Sequence, residues 1–379
     1  MKPQGGFTLR AYSDAARRYC IHLLERLVDI PSVFPEEEEI QLFLEQEFAS
    51  LGLKPQRIEM APGRWNLLCS RGDGSPRICL NAHCDTVPPN GESTPNARIE
   101  GDFLHGLGSC DTKASIASMT TAYLDILSRG ELSGTADLLI SVDEEGDGNG
   151  VRSAIQQGYT CDYAIVGEPT DLNVICTHNG LLFLKLITTG LSAHGCSPEN
   201  GINAVERMLE LIDDIRKCVE RFRSHDLTGN PSLNLGEIHA GDRPNRVPDR
   251  CVSRIDIRFP PPVRVSDVES TVLSVVEKRE WARCEIEKRG EALDTPPDSP
   301  LIKAILDAGH TLGLEQHVAG LRGWTEAEPF RTMLGIDSVV MGPGSIKQAH
   351  TSKEFVSISQ TQQAAVLYAE AAARMLGIA

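Results

Sequence analysis

Arg77-Ile-Cys-Leu-Asn-Ala-His-Cys-Asp85 is an apolar run that ends on His83-x-Asp85. A short continuous apolar stretch of this kind suits a strand buried on both faces. Two further runs have the same form. Asp137-Leu-Leu-Ile-Ser-Val142 leads into Glu144 and Glu145, and Tyr163-Ala-Ile-Val166 leads into Glu168. A fourth run, 337–341, leads through Gly342-Pro-Gly344 to His350. Between them, 111–129 reads as a helix opened by Asp111 and followed by Gly130. Strands alternating with helices predict an α/β fold.

Working outward, 12–30 has helical spacing and stops at Pro31, and Glu36 to Glu39 reads as the solvated start of a second helix. Residues 1–10 read as a loose tail, and 57–60 and 66–70 as strands. The texture changes near residue 175. A β-rich stretch at 174–189 is followed by a helix at 201–223, strands near 233–240 and 250–259, a helix at 265–279 and a strand at 284–288. This β-α-β-β-α-β order is the ferredoxin-like signature. Thr295-Pro-Pro-Asp-Ser-Pro300 closes it as a linker. Helices at 300–312, 326–334 and 358–377 and strands at 317–320 and 337–341 then return to α/β. The expected organisation is a discontinuous mixed-sheet α/β domain, 1–176 and 292–379, with an α+β domain, 177–291, inserted in it.

The chain has 379 residues, with 53 Asp+Glu against 37 Lys+Arg and a formal net charge of −16. Nucleic-acid binding is disfavoured, since the phosphate contribution needs a basic face. Basic anchoring to an anionic membrane is disfavoured likewise. No run reaches the ~18 apolar residues of a membrane span, and the N-terminus lacks a signal-peptide pattern. Eleven scattered cysteines without a CxxC read as free thiols in a reducing cytoplasm.

The polar residues at the strand ends carry the functional signal. Outside the carboxyl ends of the strands is where open α/β sheets form their sites. His83, Asp85, Asp111, Glu144, Glu145, Glu168 and His350 all fall there. Imidazole with carboxylate is ligand chemistry for zinc or another first-row divalent ion. Each piece alone is weak: a lone His-x-Asp is as readily a surface turn, and a Glu-Glu pair a solvated loop. Gly106-x-Gly108 is no dinucleotide motif, lacking the third glycine and the later acidic residue. The set is specific because every member falls at one topological place.

Taken together, the segments resemble the co-catalytic di-zinc aminoacylase and peptidase family. The matching stretches are Asn81-Ala-His-Cys-Asp-Thr-Val-Pro88, Gly106-Leu-Gly-Ser-Cys-Asp-Thr-Lys113, Ser141-Val-Asp-Glu-Glu-Gly146, Val166-Gly-Glu-Pro-Thr170, Ser192-Ala-His-Gly-Cys-Ser-Pro198 and Gly342-Pro-Gly-Ser-Ile-Lys-Gln-Ala-His350. The resemblance runs from about residue 20 to the end. It implies a zinc-hydrolase catalytic domain with an inserted lid and dimerisation domain. It also implies two Zn or Co ions, with Asp111 between them, His83 and Glu168 on one, and Glu145 and His350 on the other. Asp85 would accept the free ring N–H of His83, and Glu144 would be the general base and acid. His194 would stabilise the oxyanion across a homodimer. Asn245 and Arg258 would hold the substrate carboxylate, where the planar guanidinium fork of an arginine suits, with Thr325 and Gly344 also lining the substrate. Cys84 and Cys110 read as packing beside the ligands.

Trp324-Thr-Glu-Ala-Glu-Pro-Phe330 and the loop before His350 resemble the acetylornithine deacetylase branch, a cytoplasmic activity of arginine biosynthesis. Glu328, inserted before Pro329, and Trp324 depart from that pattern, at positions expected to flank the substrate side chain. The implied substrate is an N-acyl amino acid, with acetylornithine first and acetylcitrulline, acetyl-lysine and succinylated analogues open. A dipeptidase or carboxypeptidase on the same scaffold, or a binding module with a relic site, are the other classes to separate.

Overall fold

A computed structural model describes residues 13–378, so the expected tail at 1–10 lies outside the described residues. The chain divides into two compact units. The first comprises 1–176, 295–319 and 325–379, and the second 177–294 and 320–324. The expected boundary therefore shifts in two places. Residues 292–294 belong to the second unit because Leu293 and Asp294 pair with His178 and Thr177. Residues 320–324 join them, with Asn179 N–H donating to Leu321 O at 3.1 Å.

A mixed sheet, built mainly from the first unit, runs in the order Gln56–Ala61, Arg64–Arg71, Thr135–Ser141, Arg77–His83, Tyr163–Val166, Asp337–Val340 and Val174–His178. The four central strands, Thr135–Ser141, Arg77–His83, Tyr163–Val166 and Asp337–Val340, are mutually parallel. Their carboxyl ends therefore emerge at one edge, with His83 opposite Ser141 and Val340 opposite Val166. Burial on both faces explains the unbroken apolar runs: every residue of Thr135–Ser141 is buried.

The helices Asp14–Asp29, Ala114–Ser128 and Ile358–Met375 contribute to the core with Leu23, Leu27, Ile116, Met119, Leu367 and Tyr368. The last helix buries six alanines among residues 364–373, small side chains that allow close helix packing. Ser13 and Ser357 cap their helices by accepting backbone N–H bonds. Asp111 and Thr112 have non-helical torsions, so the helix expected from 111 begins at Ala114.

The second unit holds a four-stranded antiparallel sheet ordered Ser232–Ala240, Arg250–Phe259, Gly180–Thr189, Ala282–Gly290. With the helices Ala204–Val219 and Val265–Val276 it gives the β-α-β-β-α-β sequence. Leu184, Met208, Ile257 and Val272 meet in its core.

The acidic run at 36–39 is not uniformly solvated: Glu37 is fully buried against Arg64. All eleven cysteines are free. No helix among the described residues is long and apolar enough to cross a membrane.

Leu367 is fully buried in the core of the first unit. Leu367→Ala should destabilise the first unit by about 2–5 kcal/mol, read by chemical denaturation.

Candidate active site

His83 ends its strand with Nε2 3.2 Å from Asp111 Oδ1 and 3.7 Å from Glu168 Oε1. His350 brings its Nε2 to 2.9 Å from Glu145 Oε1 and 3.5 Å from Asp111 Oδ2. Two sets of possible ligands result, His83–Asp111–Glu168 and Asp111–Glu145–His350, with the ligand atoms of each within 4.8 Å of one another. They share Asp111.

The donor set fits divalent cations. Three carboxylates and two imidazoles are nitrogen and oxygen donors of the kind zinc takes. Burial, followed by the charge of Asp111, drives the Glu168 carboxyl well above the ordinary carboxylate range. Burial and the Asp111 charge push Glu145 up as well, against the pull of His350. Burial favours the neutral form of His83, but its hydrogen bonds to Asp111 and Asp85 raise its pKa well above that of a free imidazole. The hydrogen bond to Glu145 lifts His350 to about 9. So much negative charge held out of water is costly unless cations accompany it.

Backbone contacts aim these groups. The Asp85 carboxylate accepts the N–H of Glu144 at 3.3 Å and of Glu145 at 2.9 Å. His83 Nδ1 lies 3.0 Å from the Asp85 carbonyl oxygen and 3.5 Å from its carboxylate. The main-chain oxygen is thus the nearer partner of the ring, and the carboxylate chiefly serves the glutamate loop. Glu354, which the sequence reading missed, accepts N–H bonds from Gly108, Cys110 and Asp111 at 2.9–3.0 Å. Burial raises its carboxyl to about 7. Glu326, also missed, is buried with Ser141 and the Val151 N–H, and burial lifts it to about 7 too. In sequence neither has a spacing signal to mark it.

Other expected residues fall elsewhere. Glu328 does not face open space: it is buried, paired with Arg152 and bonded to Thr332. Gly344 has its N–H taken by Gln360 at 2.6 Å, and Cys110 Sγ stands 2.4 Å from where a Cβ would be. It shapes the turn and has no free donor for substrate. Thr325 is buried and accepts the Ala327 N–H. Trp324 belongs to the second unit and packs its indole on Gly290. Cys84 and Cys110 are buried and fall in neither ligand set.

In the second unit His194 is exposed. Its Nδ1 accepts the Cys196 N–H at 3.1 Å, which leaves the proton on Nε2 and makes that atom a donor. Asn245 lies beside it, with Gly195 N–H donating to Asn245 O at 2.8 Å. Arg258 sits apart, bonded to Asp256 at 2.8 Å. Eight residues of extended strand separate it from Arg250, about 26 Å at ~3.3 Å per residue. The Gly195–Asn245 pairing lies beyond Arg250, in the opposite direction. One copy of the chain therefore does not bring Asn245 and Arg258 to a single carboxylate.

A cation on His350 Nε2 must displace its proton. That proton is present below about pH 9 in the cation-free protein. Affinity should therefore rise with pH towards about 9. Titrating Zn²⁺ into chelator-stripped protein at pH 7.5 with an indicator dye should release at least one proton per chain.

The model of the family described as Peptidase family M20/M25/M40 matches residues 79–374. An acetylornithine deacetylase of Aliivibrio salmonicida (strain LFI1238) is 32% identical over 332 residues, 83% of this chain and 86% of that protein. Among solved structures, a tripeptidase from Staphylococcus aureus superposes with TM-score 0.80 at 21% identity, covering 95% of this chain and 99% of that one. An M20 family metallo-carboxypeptidase from Sulfolobus solfataricus gives TM-score 0.81 at 18% identity, covering 95% and 99%. A family match over most of the length, on a chain that gathers His83, Asp111, Glu145, Glu168 and His350 at one sheet edge, means that this protein belongs to the M20/M25/M40 peptidase family of metallohydrolases.

Proposed function

We propose that this metallohydrolase cleaves the amide bond of an N-acyl amino acid, with N-acetylornithine as the first substrate, yielding ornithine and acetate. The observation that carries the reading is the division of labour in Glu144-Glu145. Glu145 joins His350 and Asp111, while Glu144 stands outside both ligand sets, yet its charge is felt by Glu168 and His350. The 32% identity to an acetylornithine deacetylase supports the substrate.

His83 and Glu168 would hold one divalent ion, zinc or cobalt, and Glu145 and His350 a second, with Asp111 between. When bound, such ions acidify water and polarise an amide carbonyl. Glu144 takes the proton of the attacking water and delivers it to the departing amine. Asp85 keeps Glu144 and Glu145 in place through their N–H groups.

The working unit in this reading is a cytoplasmic homodimer. His194 of one copy donates its Nε2–H to the oxyanion formed at the other copy's site. The separation of Arg258 from the His194–Asn245 loop supports sharing, since a small substrate held by both ends needs two copies.

Three measurements test this. A panel of acetylated and succinylated amino acids and dipeptides, assayed after chelation and return of Zn²⁺ or Co²⁺, should show acetylornithine turned over fastest. Preferred cleavage of dipeptides would favour a peptidase instead. Glu144→Ala should lower kcat roughly 10²–10⁴-fold with both ions retained, whereas Glu145→Ala should lose one ion. The reverse pattern would exchange the two roles. Co-expressed Glu144→Ala and His194→Ala chains, each inactive alone, should recover about a quarter of wild-type activity, because about half of randomly paired two-fold dimers are mixed and each has one intact site. No recovery in proven heterodimers would rule out a shared site.

A further inference from the structure

Asp143, immediately before the glutamate pair, has φ +72°, a region non-glycine residues rarely occupy. Such a conformation persists where the surroundings over-determine it. Here they do. Asp143 O accepts the Gly148 N–H at 2.7 Å, and Oδ2 accepts the Asn149 N–H at 3.0 Å. Oδ1 accepts from Arg64 Nη2 at 3.0 Å. Arg64 is itself fixed from behind by Glu37, which is fully buried and takes both Nε, at 2.7 Å, and Nη2. The guanidinium also lies over the Phe34 ring, 4.9 Å from its centroid. That ring fills the space a Cβ on Gly146 would need, 2.1 Å away. The turn 143–146 is thus held from one side by Asp85 and from the other by Glu37, Arg64 and Phe34.

We propose that the Glu37–Arg64–Asp143 chain is a positioning device that sets the direction of Glu144 and Glu145, and so governs the affinity of the ion site formed by Glu145 and His350. The bidentate fork explains why arginine serves here. It bonds Glu37 through two donors and still reaches Asp143, which a lysine point charge cannot reproduce. The inference rests on the assignment of Glu145 and Glu144 given above. It predicts an asymmetry, because the hydrogen bonds of Glu37, Arg64 and Asp143 go to one another and to the 148–149 backbone rather than to His83 or Glu168.

The test is competition of Zn²⁺ between a chromogenic chelator and stripped wild type, Arg64→Lys, Arg64→Met and Asp143→Asn, with kcat and KM measured in parallel. In wild type, binding of fewer than two ions would count against the function reading alone. Given two ions, Arg64→Met and Asp143→Asn should weaken one of them about 10–100-fold and leave the other as in wild type. They should lower kcat with little change in KM. Arg64→Lys should fall between. Arg129→Met breaks a comparable half-buried ion pair with Asp125 and Glu370. It should lower the melting temperature without moving either affinity. Should Arg64→Met fail to fold, Asp143→Asn decides, because asparagine tolerates the same backbone conformation. Wild-type affinities and kcat in the folded variants, or equal weakening of both ions, would overturn the proposal.

Discussion

Asp111 and Glu168 are buried carboxylates and Glu145 is a half-buried one, gathered within ligand distance of two imidazoles, and the architecture of the first unit answers to that concentration of negative charge. Left alone, such a group would take up protons or open to solvent. Burial does raise the Glu168 and Glu145 carboxyls, and the fold holds the side chains in place by growing them from rigid positions. His83 and Glu168 follow adjacent parallel strands. Asp111 is tied to Glu354 through three N–H bonds in its loop. The imidazoles of His83 and His350 supply part of the compensation, and metal ions held by these residues would supply the rest.

Further carboxylates stand close to these three in the first unit. Asp85, Glu354, Glu326 and Asp143 spend their oxygens largely on backbone N–H groups or on arginine. Charge-assisted bonds of this type are short and directional. They convert loops, which are ordinarily the mobile part of a sheet edge, into fixed supports for reacting groups. The inserted Glu328 shows the same economy. It looks like a change in substrate recognition, yet it closes a buried pair with Arg152.

The second unit solves a different problem. Its antiparallel sheet continues past Arg250 into the loops that carry His194 and Asn245. A backbone N–H on Nδ1 fixes the tautomer of an exposed histidine.

Much of this was legible in the amino-acid sequence. Continuous apolar runs such as 77–82 and 137–142 mark strands buried on both faces, since only parallel central strands dispense with alternation. His83, Glu145 and Glu168 could be placed at one edge because parallel strands end on the same side. The tertiary structure alone decided which acids are buried. Glu37 meets Arg64 27 positions away, and Glu354 meets the Asp111 loop more than 240 positions away. Burial of a charge depends on partners the chain brings from a distance. Local pattern records the period of an element, and it carries no record of which distant donor will meet an acid at its end.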